Sequence, residues 1–576
     1  MNTPAQNHPP APDHAAQTRA RLDADLQRLH DNKTRWARLP LSQKLPYLQA
    51  FVDGTERVAA AQVQAAMTAK GTLAGTAGEA EEWLGGPVVQ IRTARLLLES
   101  LASVARTGHP PLPDSAIHVR PDGRTVARIF PQTTLDRITM GGFTAEVWQQ
   151  RDVTPVNLRS HMAGFYRQKD PVGAVALVLG AGNVASIGPL DVVQKLFQEG
   201  QVCLLKFNPV NAYLAPFVEA AFAPLIRDGF VATALGDGEV GAYLCNHPLV
   251  EEIHVTGSDR THDAIVYGGG PAGQAHKAAD AVQNHRRVTS ELGNVSPVIV
   301  VPGPWTRADL RFHAENVATQ MTNNGGFNCN AAKVVILPAE WPERLAFVDT
   351  LRSVLAALPQ RRAYYPGAEQ RYDHFLAAYP HAEALGPRTP GVLPWTLLPE
   401  VPATDVDAVA FTEESFCGLT ATTVLPGRNA AEFLSNAVEF CNERLWGTLS
   451  ASLIVHPRTE AQLGPRLDAA LEALRYGTVV INHWPALGYG LGVTPWGAAP
   501  GHVRTDIQSG IGFVHNALMF DAVEKTIIRG PFRARPRPAW FVTHRAAAQV
   551  ARRMVAMEAR PGLRKVPALL AAALRG

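Results

Sequence analysis

The sequence predicts an α/β protein in which a doubly wound parallel sheet is followed by a second α/β unit. After Arg167, apolar segments alternate with helical segments, as in GAVALVLG, VCLLKFNP, FVATALG and EEIHVTGS. A second apolar series runs from SPVIVVPG through KVVILP to YGTVVINHW. Strands that alternate with helices pair in parallel, and parallel strands are apolar because both of their faces are buried. The length of 576 residues also exceeds one ordinary core, so two or three domains are expected.

Composition and charge narrow the class of protein further. The chain carries 54 basic and 51 acidic residues, a net charge of +3, and 46% hydrophobic residues. These values are typical of a folded protein without a nucleic-acid-binding surface, so small-molecule partners are expected. The five cysteines form no CxxC pair and no zinc-like spacing. We therefore predict a reduced, cytoplasmic protein without a metal site.

The N-terminal third divides into three segments. Residues 1–19 combine Pro, His and Ala without the basic start and apolar run of a secretory signal, and they predict a disordered arm. From residue 20 to residue 101, apolar residues recur at helical spacing. Residues 107–150 shift to short β-rich pieces around the turn signal PDG, which predicts hairpins or edge strands.

Two glycine-containing turns could bind a dinucleotide at the carboxyl ends of the parallel strands. Gly236, Gly238 and Gly241 spell GxGxxG, but they follow the third strand of the unit and not the first, so this motif is weak. Gly257 and Ser258 are better candidates, because a helix follows them and its N-terminus can receive a pyrophosphate.

Several separated segments together resemble the aldehyde dehydrogenase superfamily over roughly residues 150–530. They are VTGSDR, ELGNVSP, NNGGFNCNAAK and EESFCG, with PWGAAPG and SGIG after them. The resemblance implies an aldehyde dehydrogenase-like fold with a Rossmann-type nucleotide-binding domain, an α/β catalytic domain and a small β oligomerisation arm. We accordingly predict a nucleotide-binding domain at 20–296 with arm strands near 153–169, a catalytic domain at 297–515, an oligomerisation arm at 516–543 and a basic helical tail at 544–576.

The same resemblance implies a chemistry for three residues. Cys329, in a Gly- and Asn-rich turn before a strand, corresponds to the nucleophile that forms a thiohemiacetal and then a thioester. Asn183 resembles the amide donor that faces the developing oxyanion, with the Cys329 backbone N–H as the second donor. Glu291 corresponds to the general base that activates water against the thioester.

A nicotinamide cofactor, NAD or NADP, is implied as well. Lys206 resembles the lysine that contacts the adenosine ribose, and Gly257 and Ser258 lie where the pyrophosphate would bind. Glu414 and Phe416 resemble the pair that holds the nicotinamide ribose and packs beside the ring. Cofactor preference is open, because Pro209 occupies the position where NAD-preferring relatives often carry a carboxylate.

Three functions remain as alternatives. The first is NAD(P)+-dependent oxidation of a small-molecule aldehyde to a carboxylic acid. The second is an acylating enzyme or acyl-CoA reductase, which AGNV around Asn183 favours and Glu291 disfavours. The third is a non-catalytic binding or structural member of the family. Phe327, His483 and Trp484 could line an acyl channel, although aromatic residues near strand ends are more often core residues.

The sequence also predicts association and a separate role for the tail. VNLRSHMAGFYRQ and EKTIIRGPF resemble the family's arm, whose exposed strand edges imply a homo-oligomer, a dimer or tetramer. Pro561 and Gly562 divide the basic tail into two short helices, each too short to span a bilayer. The tail could contact an anionic membrane surface, but packing against the protein itself is the favoured alternative.

Overall fold

The computed structural model describes residues 12–576, and it begins with four helices. Residues 1–11 of the predicted disordered arm lie outside the described residues, but the remainder of that prediction is wrong, because a helix begins at Pro12. Proline suits the first turn of a helix, and the segment after it contains Ala and Gln, which favour helix. Four helices occupy the segment at 20–101, which the sequence predicts to be helical: α1 (Pro12–Arg38), α2 (Leu41–Lys70), α3 (Ala77–Trp83) and α4 (Val89–Thr107).

Short strands follow, as the turn signal predicts. They are β1 (Ile117–Val119), β2 (Thr125–Phe130) and β3 (Thr144–Gln149), with α5 (Thr134–Thr139) between the last two. The arm strands predicted near 153–169 are absent, since this segment forms 3-10 turns at Leu158–His161 and Gly164–Arg167. Side chains hold the backbone here: Thr154 N–H donates to Asn157 Oδ1 (2.7 Å), and Ser160 Oγ donates to the Asn157 carbonyl (2.6 Å). Such local bonds compete with strand pairing.

The first parallel sheet follows with alternating strands and helices. Its elements are β4 (Val175–Leu179), α6 (Ile187–Phe197), β5 (Val202–Lys206), α7 (Ala215–Ala221), α8 (Ala223–Arg227), β6 (Val231–Ala234), α9 (Gly238–Asn246), β7 (Glu252–Gly257), α10 (Asp259–Tyr267), α11 (Gly270–Ala278) and β8 (Arg287–Leu292). The strands of this sheet have the order β8-β7-β4-β5-β6. From β4 the chain adds β5 and β6 on one side and β7 and β8 on the other, so a crevice forms beside β4 at the carboxyl ends of the parallel strands.

The second α/β unit supplies the larger sheet. Its elements are β9 (Ser296–Val300), α12 (Arg307–Thr322), β10 (Ala332–Pro338), α13 (Arg344–Ala357), β11 (Arg361–Arg362), α14 (Ala368–Ala378), β12 (Glu383–Leu385), β13 (Val392–Leu393), β14 (Trp395–Leu398), α15 (Val409–Thr412), β15 (Leu419–Leu425), α16 (Ala430–Arg444), β16 (Ser450–Ile454), α17 (Pro457–Leu463), α18 (Pro465–Ala473), β17 (Thr478–Ile481), α19 (Ala486–Gly490), β18 (Gly510–Ile511) and β19 (Val523–Arg529). Strand β18 pairs antiparallel with β8, so the second unit also contributes to the first sheet.

Strand β19, in the predicted oligomerisation arm, has a partner on each side within its own chain. It runs parallel to β17, with Thr526 opposite Thr478, and antiparallel to β3. The larger sheet therefore has the order β1-β2-β3-β19-β17-β16-β9-β10-β15-β14-β12. The expectation that this strand presents open edges to a neighbouring subunit is wrong, because both edges are already hydrogen-bonded. The homo-oligomer stays a prediction that would need another surface.

The C-terminal tail, residues 544–576, contains the two predicted short helices, α20 (Ala547–Ala559) and α21 (Val566–Ala573). Helix α20 packs against α2, α3 and α4. Glu558 accepts hydrogen bonds from Arg92 and Arg95, each at 2.8 Å. The tail thus packs on the body of its own chain, as the favoured alternative predicts. Within residues 12–576, no helix combines the length and apolar character needed to cross a membrane.

Candidate active site

A tight turn between α12 and β10 presents Cys329. Asn324, Gly325 and Gly326 have φ angles of 53°, 71° and 82°, a left-handed run that favours glycine. A Cβ on Gly326 would lie 2.5 Å from the Cys417 backbone, so no larger residue fits there. Cys329 is partly exposed, whereas the other four cysteines, Cys203, Cys245, Cys417 and Cys441, are buried.

Two cavities meet at this cysteine. The first has a volume of about 1100 Å³ and lies at the carboxyl ends of the parallel strands of the first sheet. The second has a volume of about 510 Å³ and is lined by residues of α4, α5, α19 and the C-terminal tail. Asn183, Ile187, Glu291 and Cys329 line both cavities. A molecule in either cavity can therefore reach the same thiol.

Asn183 lies in the loop between β4 and α6 and is held at three points on its backbone carbonyl. That oxygen accepts hydrogen bonds from Lys70 Nζ (3.0 Å), Asn324 Nδ2 (2.9 Å) and the Tyr364 hydroxyl (3.1 Å). Its side-chain Nδ2 donates to the Phe327 carbonyl (2.9 Å). An amide nitrogen carries two N–H groups, so one remains for an oxygen beside Cys329.

Glu291, on β8, is buried next to the thiol. Burial raises the pKa of its carboxyl to about 8, and the nearby Asp191 adds to that shift, while the Cys329 thiol and the Trp496 indole oppose it. Its Oε1 atom is buried without a hydrogen-bond partner among the described residues. A carboxyl of this kind is protonated at neutral pH and becomes a base near pH 8. Burial and the carboxyls of Glu291 and Glu414 raise the pKa of the Cys329 thiol, which therefore needs a proton acceptor.

Glu291 should also make stability depend on pH. Between the ordinary pKa of 4.5 and about 8, the folded protein holds a proton that the unfolded chain has released. The free energy of unfolding therefore falls as pH rises through this window, by about 5 kcal/mol in all. We expect Glu291→Gln to remove this decline, which denaturant titrations of both proteins at pH 5 and pH 8.5 would measure. Equal pH slopes for the two proteins would contradict the raised pKa.

The first cavity contains the residues expected to bind a dinucleotide. Lys206 ends β5, Gly257 ends β7, and Ser258 caps α10 by accepting a hydrogen bond from the Thr261 N–H (3.2 Å). All three line the cavity. The N-terminus of α10 suits a pyrophosphate. Burial lowers the pKa of Lys206, and Asp237, at the start of α9, opposes that shift.

Glu414 and Phe416 line the same cavity nearer to the cysteine. Burial raises the pKa of Glu414 to about 8, and its Oε1 has no hydrogen-bond partner among the described residues. A Cβ on Gly293 would lie 2.0 Å from Glu414 Oε2, so this glycine gives the carboxyl its space. The Phe416 ring packs 5.0 Å from Tyr365. An unpartnered carboxyl oxygen beside an aromatic ring fits the hydroxyls of a nucleoside and its base.

Comparison with known proteins agrees with this arrangement. Residues 132–367, which include Asn183, Lys206, Glu291 and Cys329, match the family model described as the aldehyde dehydrogenase family. The match covers less than half of the chain, so the similarity to the aldehyde dehydrogenase family is shown for residues 132–367. Among solved structures, the chain is similar to the aldehyde dehydrogenase KauB from Pseudomonas aeruginosa, with a TM-score of 0.59 and 16% identity over 89% of each chain. It is also similar to aldehyde dehydrogenase 21 from Physcomitrella patens, with a TM-score of 0.57 and 14% identity over 89% of this chain and 90% of that one. These similarities establish the α/β fold.

Curated relatives in the superfamily match a shorter part of the chain. A coniferyl aldehyde dehydrogenase from Pseudomonas sp. (strain HR199 / DSM 7063) is 34% identical over 177 residues, which are 30% of this chain and 32% of the relative. A 4-trimethylaminobutyraldehyde dehydrogenase from Oryzias latipes is 27% identical over 176 residues, 30% of this chain and 31% of the relative. The chain thus covers about a third of the length of these two relatives.

All eight site residues predicted from the superfamily resemblance line one or both cavities. Sequence reasoning missed others. The Tyr489 hydroxyl lies 2.7 Å from Ser186 Oγ and faces the second cavity, and Lys70 fixes the Asn183 loop from the N-terminal helices. No local motif marks either residue. Of the three acyl-channel candidates, Trp484 lines the second cavity, whereas Phe327 and His483 are buried core residues.

Proposed function

We propose that this protein oxidises an aldehyde to a carboxylic acid with NAD+ or NADP+, using Cys329 as the nucleophile. The observation that supports the proposal best is the junction of the two cavities, where Cys329, Asn183 and Glu291 are exposed to both. One cavity would hold the dinucleotide, and the other would deliver the aldehyde. An oxidoreductase needs this arrangement, because hydride transfer requires the two molecules to meet in a fixed orientation.

Addition of the thiol is the first step. Glu291 accepts the Cys329 proton, and the sulfur forms a bond to the carbonyl carbon while the C=O electron pair moves to oxygen. Asn183 Nδ2 and the Cys329 backbone N–H would donate to that oxyanion, and a donor of this kind contributes about 3 kcal/mol to the transition state. The hydrogen-bonded backbone of Asn183 keeps its amide in place during this step.

Release of the acid completes the cycle. Lys206, Ser258, Glu414 and Phe416 would hold NAD+ or NADP+, which supplies a hydride acceptor for the tetrahedral carbon when it is bound. Loss of hydride leaves a thioester on Cys329. Glu291 releases the first proton to solvent and then takes a proton from water, whose oxygen attacks the thioester carbonyl; the acid leaves as the C–S bond breaks, and the Cys329 sulfur takes the proton back from Glu291. The buried carboxyl of Glu291 favours this hydrolytic route over transfer of the acyl group to a thiol such as coenzyme A.

An absorbance assay distinguishes the three alternative functions. Purified protein is mixed with a panel of aldehydes and either NAD+ or NADP+, with and without coenzyme A, and the reduced cofactor is followed at its absorbance band. We expect reduction without coenzyme A and a carboxylic acid product. Reduction that requires coenzyme A would indicate the acylating alternative. No reduction with any aldehyde would support the non-catalytic one.

Lys206 gives a prediction for cofactor binding. Its buried side chain lies at the end of β5 in the first cavity. We expect Lys206→Ala to raise the KM for the cofactor at least tenfold, about 1.4 kcal/mol, with a smaller effect on kcat. Lys169→Ala, which changes an exposed lysine, is the matched control. An unchanged cofactor KM in Lys206→Ala would remove this residue from the site, and the ratio of NAD+ to NADP+ efficiency in both proteins would show which cofactor it prefers.

A further inference from the structure

The C-terminal tail forms one wall of the second cavity. Helix α20 contributes Val550, Met554 and Met557, and α21 contributes Leu569, Leu570 and Ala573. The opposite wall comes from distant parts of the chain, including the helix α4 and the loop before α5. Cys329, Asn183 and Glu291 line the same cavity. A molecule that extends from the thiol toward the protein surface would therefore contact the tail.

The tail is held against the body by buried ion pairs. Glu558 is 7% exposed, and its two carboxylate oxygens each accept a hydrogen bond, one from Arg92 and one from Arg95, at 2.8 Å. Arg552 pairs with the buried Glu79 on α3. Buried pairs of this kind are costly to break, because removal of one partner leaves an uncompensated charge. The wall is therefore a fixed part of the fold.

The surface that the tail offers is apolar. Apart from Glu558, its side chains in the cavity are Val, Met, Leu, Ala and Pro, and Trp484, Trp496 and Trp540 line other parts of it. The arginines Arg92 and Arg95 also reach this cavity, and both pair with Glu558. Asp136 pairs in addition with Arg92, and Glu99 with Arg95, so carboxylates balance both positive charges. A cavity of about 510 Å³ lies within the range that holds a drug-sized ligand, and it would leave a two- or three-carbon aldehyde with few contacts.

We propose that the tail makes this enzyme selective for large apolar aldehydes, straight-chain or aromatic, with about eight carbon atoms or more. The inference rests on the proposed function and specifies the substrate class of the same site. Burial of each methylene group against the tail should increase kcat/KM about fourfold. From butanal to octanal we expect kcat/KM to rise at least about 30-fold.

Substitutions on the two tail helices test this proposal. Met554→Trp on α20 and Leu570→Trp on α21 each replace an aliphatic side chain that lines the cavity with a larger indole ring. Both positions are partly buried. We expect each to lower the octanal-to-butanal ratio of kcat/KM at least tenfold. Arg553→Trp is the matched control, because the exposed Arg553 adjoins Met554 in the chain and does not line the cavity. It should leave the ratio within twofold of the original.

A second measurement uses octanamide and butanamide, which are unreactive analogues of the two aldehydes. Calorimetry measures their binding to the unmodified protein, the two cavity variants and the Arg553→Trp control. Tighter binding of octanamide that both cavity variants abolish supports the role of the tail, even where no aldehyde is oxidised and the proposed function itself fails. Oxidation of aldehydes with the same chain-length profile in all four proteins would overturn the inference and leave the function intact. Equal binding of the two amides by the unmodified protein would overturn it as well.

Discussion

Replacement of Cys329 by alanine is expected to reduce aldehyde oxidation at least about a thousandfold. Only this cysteine is exposed to both cavities. Without its sulfur, no thiohemiacetal forms and the carbonyl carbon has no route to expel hydride. Dinucleotide binding should persist, because the first cavity is shaped by residues of other segments, such as Lys206 and Glu414.

Two measurements check this expectation together. Steady-state reduction of the cofactor gives the loss of turnover, and calorimetric titration with NAD+ or NADP+ gives the dissociation constant, which should change less than threefold. Cys441→Ala, at a buried cysteine on α16 outside the site, controls for the general effect of removing a thiol. A Cys329→Ala protein that kept a tenth of the original turnover would show that another group is the nucleophile.

Replacement of Glu291 by glutamine is expected to separate the two halves of the reaction. The amide cannot take a proton from water, so hydrolysis of the thioester should slow by about a hundredfold or more. Hydride transfer should be affected less, and rapid mixing should show a burst close to one reduced cofactor per active site before slow turnover. In the unmodified protein, the raised pKa of Glu291 predicts that kcat rises with pH near pH 8. This rise should disappear in Glu291→Gln.

The surface variant Glu432→Gln is a suitable control for the kinetic experiment, because this glutamate pairs only with Arg428 at the protein surface. It should show neither a burst nor a changed pH profile. A Glu291→Gln protein with no burst and a normal steady-state rate would exclude Glu291 as the deacylating base. Addition of coenzyme A to that protein would then test the acylating alternative directly.

The sequence predicts the local parts of this fold well because they depend on residues close together in the chain. The alternation of apolar and helical segments identifies the parallel strands β4 to β8, and Pro561 divides the tail into its two helices. The segments around Cys329, Glu291 and Glu414 predict a candidate site through their resemblance to the aldehyde dehydrogenase superfamily, and all three residues line one cavity.

Long-range pairing could not be predicted in the same way. Strand β19 pairs with β3 and β17, and β3 lies more than 370 residues before it in the chain, so no local pattern specifies this register. Residues 153–169 look extended, but hydrogen bonds that the Thr154 and Asn157 side chains accept and the Ser160 side chain donates hold them in turns. The tail wall and the Lys70 contact also depend on packing between distant segments. Spacing along the chain carries no information about such contacts.

Mass spectrometry of the trapped intermediate tests the central claim most directly. The Glu291→Gln protein is mixed with cofactor and a saturating aldehyde, quenched in acid during slow turnover, digested and analysed peptide by peptide. We predict that the peptide containing Cys329 gains the mass of the acyl group, in an amount that matches the reduced cofactor. Reduced cofactor without an acylated Cys329 peptide, or with the acyl group on another cysteine, would contradict the account.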